Sequence, residues 1–159
     1  MRSRGPCCAL RGRVVVSESF LVEAVPRDVE ADVLAGLARF GFQASTEVPI
    51  YREAGIVRVS RTGGGLELNS QRDRPQVLVE VWGDTSVDAF DTAIRVWAAF
   101  RIWGDRGWIV PGVAVHDVDA DVPRARDDEL APELYRTQFV STFLTDLTTI
   151  ELTEEAAHG

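Results

Sequence analysis

The run His116-Asp117-Val118-Asp119-Ala120-Asp121 is the best candidate in this chain for metal chemistry. On a strand, alternation puts Asp117, Asp119 and Asp121 on one face, and oxygen ligands of that kind would suit Ca2+ or Mg2+. An EF-hand loop also needs Gly at its sixth place and Glu at its twelfth, and neither is present. The run therefore reads as a solvated outer face or an edge guarded by charge, and no metal is expected. Nucleophilic catalysis needs a Ser, Cys or Thr beside a base. Only His116 and His158 supply imidazole, and there is no G-x-S-x-G elbow. Arg61-Thr62-Gly63-Gly64-Gly65 suggests a phosphate cradle, but a P-loop requires a Lys and this chain has none. The dinucleotide fingerprint is missing as well. Cys7 and Cys8 are adjacent, which suits neither a redox pair nor a zinc knuckle. The expectation is a protein that is not an enzyme and holds no cofactor.

Composition narrows the partners. At 159 residues the chain fits one domain, and 45% hydrophobic content excludes a disordered polymer. No apolar run approaches the ~20 residues of a membrane helix. All 17 basic residues are Arg, against 25 acidic ones, for a net charge of −8. Four of the Arg (Arg2, Arg4, Arg11, Arg13) lie in the first 13 residues, so the remaining body is more acidic still. Phosphate gripping is built on positive charge, so a nucleic-acid footprint is excluded. Trp82 and Trp97 read as core; Trp103 and Trp108 flank a turn and read as protein-contact aromatics rather than base-stacking ones. Residues 1–16 read as a disordered or variable tail, with 1–13 alternatively lying upstream of the biological start. Lack of disulfide spacing makes a reducing compartment the default.

The elements follow from periodicity. Residues 26–40 place Val29, Val33, Leu37 and Phe40 on one helical stripe, with Gly41 as its stop. Residues 20–25 read as a strand or a lead-in turn. Strand-like stretches follow at 43–50, 56–60 and 77–82, the last apolar enough for a sheet interior. Between them, residues 61–75 read as a long Gly-rich loop bearing Arg61, Arg72 and Arg74. A second helix opens at Thr85, buries Val87, Phe90, Ile94, Trp97 and Ala98, and stops at Gly104. Strands run from Val113 toward Val122 and over 135–145, separated by a charged loop at 123–132. Residues 151–159 read as a polar tail. The whole is an α+β fold: a mixed β-sheet of about five strands with two main helices packed on one face, spanning 17–150 as a single domain.

Four stretches carry a resemblance. They are Val48-Pro49, Ile56-Val57-Arg58-Val59-Ser60-Arg61-Thr62-Gly63-Gly64, Arg74-Pro75-Gln76-Val77-Leu78-Val79-Glu80-Val81-Trp82-Gly83, and the helix over 93–103. Together they resemble tail terminator proteins of long-tailed bacteriophages, also called minor tail proteins, over roughly residues 26–147. The resemblance implies a structural virion protein that forms a hexameric ring on the head-proximal end of the tail tube. Such a ring ends tail polymerisation and offers a docking surface to the head connector. It implies as partners other copies of the chain, the major tail tube protein and the head-to-tail connector or head-closure protein, and no membrane. DNA would pass the pore without specific binding, because an acidic lumen repels it. Localisation would be the tail-neck junction of the virion, and the host cytoplasm during assembly. The residues expected at interfaces are Arg58, Arg61, Gly63, Gly64, Gly65, Arg72 and Arg74, together with Asp117, Asp119, Asp121, Arg124 and Arg126. A head-closure or neck connector component and a non-phage α+β domain binding a small ligand or a protein are the alternative readings.

Overall fold

The computed structural model describes residues 20–67 and 71–153, so the expectations for residues 1–16, Cys7, Cys8 and His158 lie outside the described residues. In chain order the elements are β1 (Phe20–Val25), α1 (Val29–Ala38), β2 (Ala44–Ser45), β3 (Val57–Leu66), β4 (Arg72–Gly83), α2 (Ser86–Arg106), β5 (Val115–Ala120), β6 (Arg124–Arg126), β7 (Tyr135–Asp146) and β8 (Thr148–Thr153). Six of the strands form one sheet in the order β2-β3-β4-β7-β5, with β6 also on β7. The β2–β3 pair is parallel and the others are antiparallel, so the sheet is mixed. β1 and β8 make a separate antiparallel two-stranded ribbon.

Alternation decides which face is buried. Val57, Val59, Val77, Val79, Val81, Phe139 and Phe143 point to one side, and both helices cover that side. Phe100 from α2 stacks at the centre, 5.3 Å from the rings of both Phe139 and Phe143 and 4.8 Å from Trp103. α1 adds Val29, Val33 and Leu37 to the same cluster. Its N-cap is Asp28, whose carboxylate accepts from Ala31 N–H. Phe40, expected on that stripe, falls past the helix end and is partly exposed.

Several expectations change. Strand pairing runs through the glycines: β3 reaches Leu66, and Gly63, Gly64 and Gly65 face Gln76, Pro75 and Arg74 across a hairpin. The long loop expected at 61–75 is therefore mostly strand. A bulge between Arg61 and Gly63 bends it. Gly64 has φ +87, and a Cβ there would lie 2.0 Å from the carbonyl oxygen of Arg74, so only glycine fits. α2 continues through Gly104 to Arg106 and ends at Gly107, in the left-handed region at φ +79. The strand expected at 43–50 shrinks to Ala44–Ser45, the charged loop contains β6, and the supposed polar tail begins as β8.

The largest correction concerns α2. Its buried residues are Ala89, Ala93, Val96, Ala99, Phe100 and Trp103, and of the expected stripe only Trp97 packs against the core, partly buried. Val87, Phe90 and Ile102 remain 63%, 42% and 44% exposed. Small side chains let the helix axis approach the sheet closely, and the two large rings fill the gap at the far end.

Candidate interaction surfaces

The sheet face away from the helices carries most of the residues expected to make contacts. Cross-strand register sets them in rows: Arg58, Glu80, Gln138 and Arg124 in one, then Ser60, Leu78 and Val140, then Gln76, Thr142 and Asp119. Asp117 faces Leu144 on the same side, and Arg126 faces Arg136. Arg72 and Arg74 belong to this face by alternation along β4. From Asp117 to Arg126 one sheet edge thus changes from acidic to basic, with Asp121 and Arg124 3.5 Å apart at the changeover. Gly64, Gly65, Leu66, Glu67, Arg74, Gln76 and Thr142 line an open cleft of about 600 Å3 beside the hairpin.

Arg61 is the exception. It points to the helix side, where its guanidinium meets both oxygens of the fully buried Asp73 at 2.8 and 2.9 Å. Its backbone N–H donates to Glu30 on α1 at 2.6 Å. The residue clamps the bulged hairpin to the helix layer and offers no charge to a partner. Arg58 is also engaged: it and Arg136 each reach one oxygen of the buried Glu80 at 3.0 Å.

Beside that pair lies a second buried carboxylate. Burial alone would push Asp128 up, but the N–H groups of Trp82 and Leu130 donate to it, and Arg52 and Arg136 add positive charge. The outcome is a carboxyl held below its ordinary value. Arg52 Nε lies 2.8 Å from Asp128 Oδ2, a close ion pair in which the N–H is not aligned for a hydrogen bond.

Two apolar surfaces stand uncovered. On the β1–β8 ribbon, Leu21 faces Leu152 and Glu23 faces Ile150. Directly opposed residues share a face, so Leu21, Ile150 and Leu152 line one side, exposed by 55%, 41% and 51%. The other is the outward side of α2, where Val87, Phe90 and Ile102 are exposed, Ile94 and Ala98 are half-buried, and the exposed carboxylates of Asp91 and Asp105 lie among them. Arg101 sits within that stripe, its guanidinium 5.9 Å from the ring centroid of Trp97.

Among the described residues, reactive groups do not converge. His116 Nε2 is hydrogen-bonded to Asp146 at 2.8 Å, at a bulge in β5. Among the described residues no group of three or more His, Cys, Asp or Glu is placed to hold a metal ion. No helix among them is long and apolar enough to cross a membrane. The sequence matches no protein-family model, and a search of curated proteins returns no match.

Sequence reasoning missed the ribbon face and read the outer stripe of α2 as core. The ribbon had a signal: Ile150 and Leu152 alternate with the polar Thr149, Glu151 and Thr153. For α2 the signal was a second apolar face of small residues at Ala89, Ala93, Val96 and Ala99.

Proposed function

We propose that this chain is a subunit of a structural assembly, a ring that caps the head-proximal end of a phage tail tube. In that role it ends tube growth and presents a docking surface to the head connector. The observation that carries the reading is the β1–β8 ribbon. Its two strands form a sheet of their own, with both outer edges unpaired and an apolar face uncovered among the described residues. An isolated two-stranded ribbon is marginally stable at best, so a ribbon of this kind is built to be covered. The resemblance described above supplies the identity of the assembly.

The work of such a protein is a change in available interfaces rather than a reaction. Head-to-tail contacts that close on themselves make a ring and leave no free lateral surface. The uncovered sheet face, with Arg72 and Arg74 near its hairpin and the charged edge from Asp117 to Arg126, suits contact with the tube protein or the connector. Contacts built on those exposed charges weaken with salt. The acidic balance of the body lets DNA pass without being held.

The test is capping of tubes grown from the major tail protein of the cognate phage. Negative-stain images should show one end of each tube bearing a ring, with elongation stopped there when fresh tube protein is added. Tubes that stay bare and keep growing in excess protein would overturn the reading.

A further inference from the structure

The six-stranded sheet ends on β2, a strand of two residues with no partner on its outer side among the described residues. Beside it lies an open cleft of about 620 Å3. Val48, Pro49, Ala54 and Ile56 give the cleft an apolar lining, and Glu47 and Glu53 add two carboxylates. Both glutamates are exposed, and neither meets a cation among the described residues. The nearest arginines in sequence, Arg52 and Arg58, are engaged by Asp128 and Glu80. The clefts at Arg74 and at Arg126 and Arg136 hold cations of their own; the described lining of this one holds none. Ile50 and Tyr51, which continue the loop past Pro49, are 89% and 87% exposed.

An apolar trough with unpaired carboxylates fits a segment that is itself apolar and basic, and this chain contains one. Residues 1–17 hold Arg2, Arg4, Arg11 and Arg13, with Cys7-Cys8-Ala9-Leu10 between the two pairs. All 25 acidic side chains lie beyond it. Reach is sufficient. The 19 residues before Phe20 span up to about 60 Å when extended. The ribbon and α1, which separate Phe20 from β2 along the chain, are about 20 Å and about 15 Å long.

We propose that residues 2–13 lie in the β2 cleft of the same copy, their apolar run on Val48, Pro49 and Ile56 and their arginines beside Glu47 and Glu53. The strap covers the open side of β2 and so guards an unpaired sheet edge. Its charge pairs are exposed, so it lets go as salt rises. The contact lies within one chain and stands whether or not the assembly reading does.

Cys7 and Cys8 are the only cysteines in the chain, so they report where that segment goes. Ala54→Cys in the full chain puts a third thiol in the cleft. Ala114→Cys puts one at an exposed site beside β5, on the opposite edge of the sheet. Under mild oxidation, peptide mapping by mass spectrometry follows the disulfides. Position 54 should join Cys7 or Cys8 of the same chain about tenfold faster than position 114 does, because docking raises the effective concentration. Adding Glu47→Gln/Glu53→Gln should remove that advantage. So should salt at about 1 M, where the Debye length falls to about 3 Å. Neutral neighbours would by themselves favour the thiolate at position 54 and speed its reaction, so a slower reaction reports lost docking. Circular dichroism melts check that each variant is folded. Equal rates at the two positions, or a rate at position 54 that ignores either the glutamines or the salt, would overturn the proposal. Disulfides at position 54 that form only between chains would overturn the placement within one copy.

Discussion

The indole N–H of Trp82 donates to Asp128 Oδ2 at 2.8 Å, joining the last turn of the central strand to a loop 46 residues away. The ring is almost fully buried, and Arg52 lies over it at 5.7 Å while also facing the same carboxylate. One acidic side chain therefore fixes the loop between β6 and β7 against the outer face of the sheet. Its charge is what the surrounding groups recognise.

Acid should release that loop. The carboxyl of Asp128 is held below its ordinary value in the fold, so its contribution is present above the unfolded value of ~3.9 and disappears as pH falls through the lowered one. Asp128→Asn lacks this contribution at every pH. Urea melts should show a stability gap between the native chain and the variant that is constant above about pH 5 and narrows below about pH 4. Trp82→Phe removes the donor and should cost about 1.5–3 kcal/mol at neutral pH, as for hydrogen bonds to charged groups. A gap that widens toward low pH would contradict this account.

Two arginines near one hairpin should behave very differently. Arg61 makes a bidentate pair with a carboxylate that has no exposure, while Arg74 meets Glu67 at 3.1 Å on the surface. Removing one partner of a buried pair strands the other charge, at a cost of about 3–5 kcal/mol. Arg61→Ala should approach the lower end of that range, because its own side chain is about a quarter exposed. Arg74→Ala should cost about 0–1 kcal/mol, as exposed pairs do. Equal destabilisation of the two variants in denaturant melts would show that Asp73 is not sealed from water.

Local pattern made much of this legible. β4 announces itself through Val77, Leu78, Val79 and Val81, α1 through the spacing of Val29, Val33 and Leu37, and α2 through its cap at Thr85. What local pattern cannot supply is the partner. Gly63, Gly64 and Gly65 look like a loop until Gln76, Pro75 and Arg74 are laid beside them. Glu151 to Thr153 look like a frayed end until Leu21 is found opposite Leu152, on the far side of the chain. Arg61 and Arg58 read equally as surface cations, and only register sends one inward to Asp73 and leaves the other on the outer face. The expected contact residues Asp117 and Asp119 do share that face, as strand alternation predicts, and Arg72 and Arg74 join them only because the loop expected there is strand.

The helix α2 shows why hydrophobicity alone misplaces a face, and it gives the sharpest contrast between neighbouring substitutions. The expected stripe carries Val, Phe and Ile along most of the helix, yet the face on the sheet holds Ala89, Ala93, Val96 and Ala99, with the large rings of Phe100 and Trp103 only toward its far end. Packing space decides, since the interior is filled to crystal-like density and a methylene too many must displace something. Ala93 has no exposure, so Ala93→Leu should overpack the core and cost about 1–3 kcal/mol despite being the more hydrophobic residue. Phe90 lies on the outer stripe, so Phe90→Ser should leave the monomer within about 0.5 kcal/mol of the native chain, as surface changes do. Thermal melts at a concentration too low for assembly would read both. If Phe90→Ser proved the more damaging of the two, the ring would belong to the core rather than to the outer face of α2.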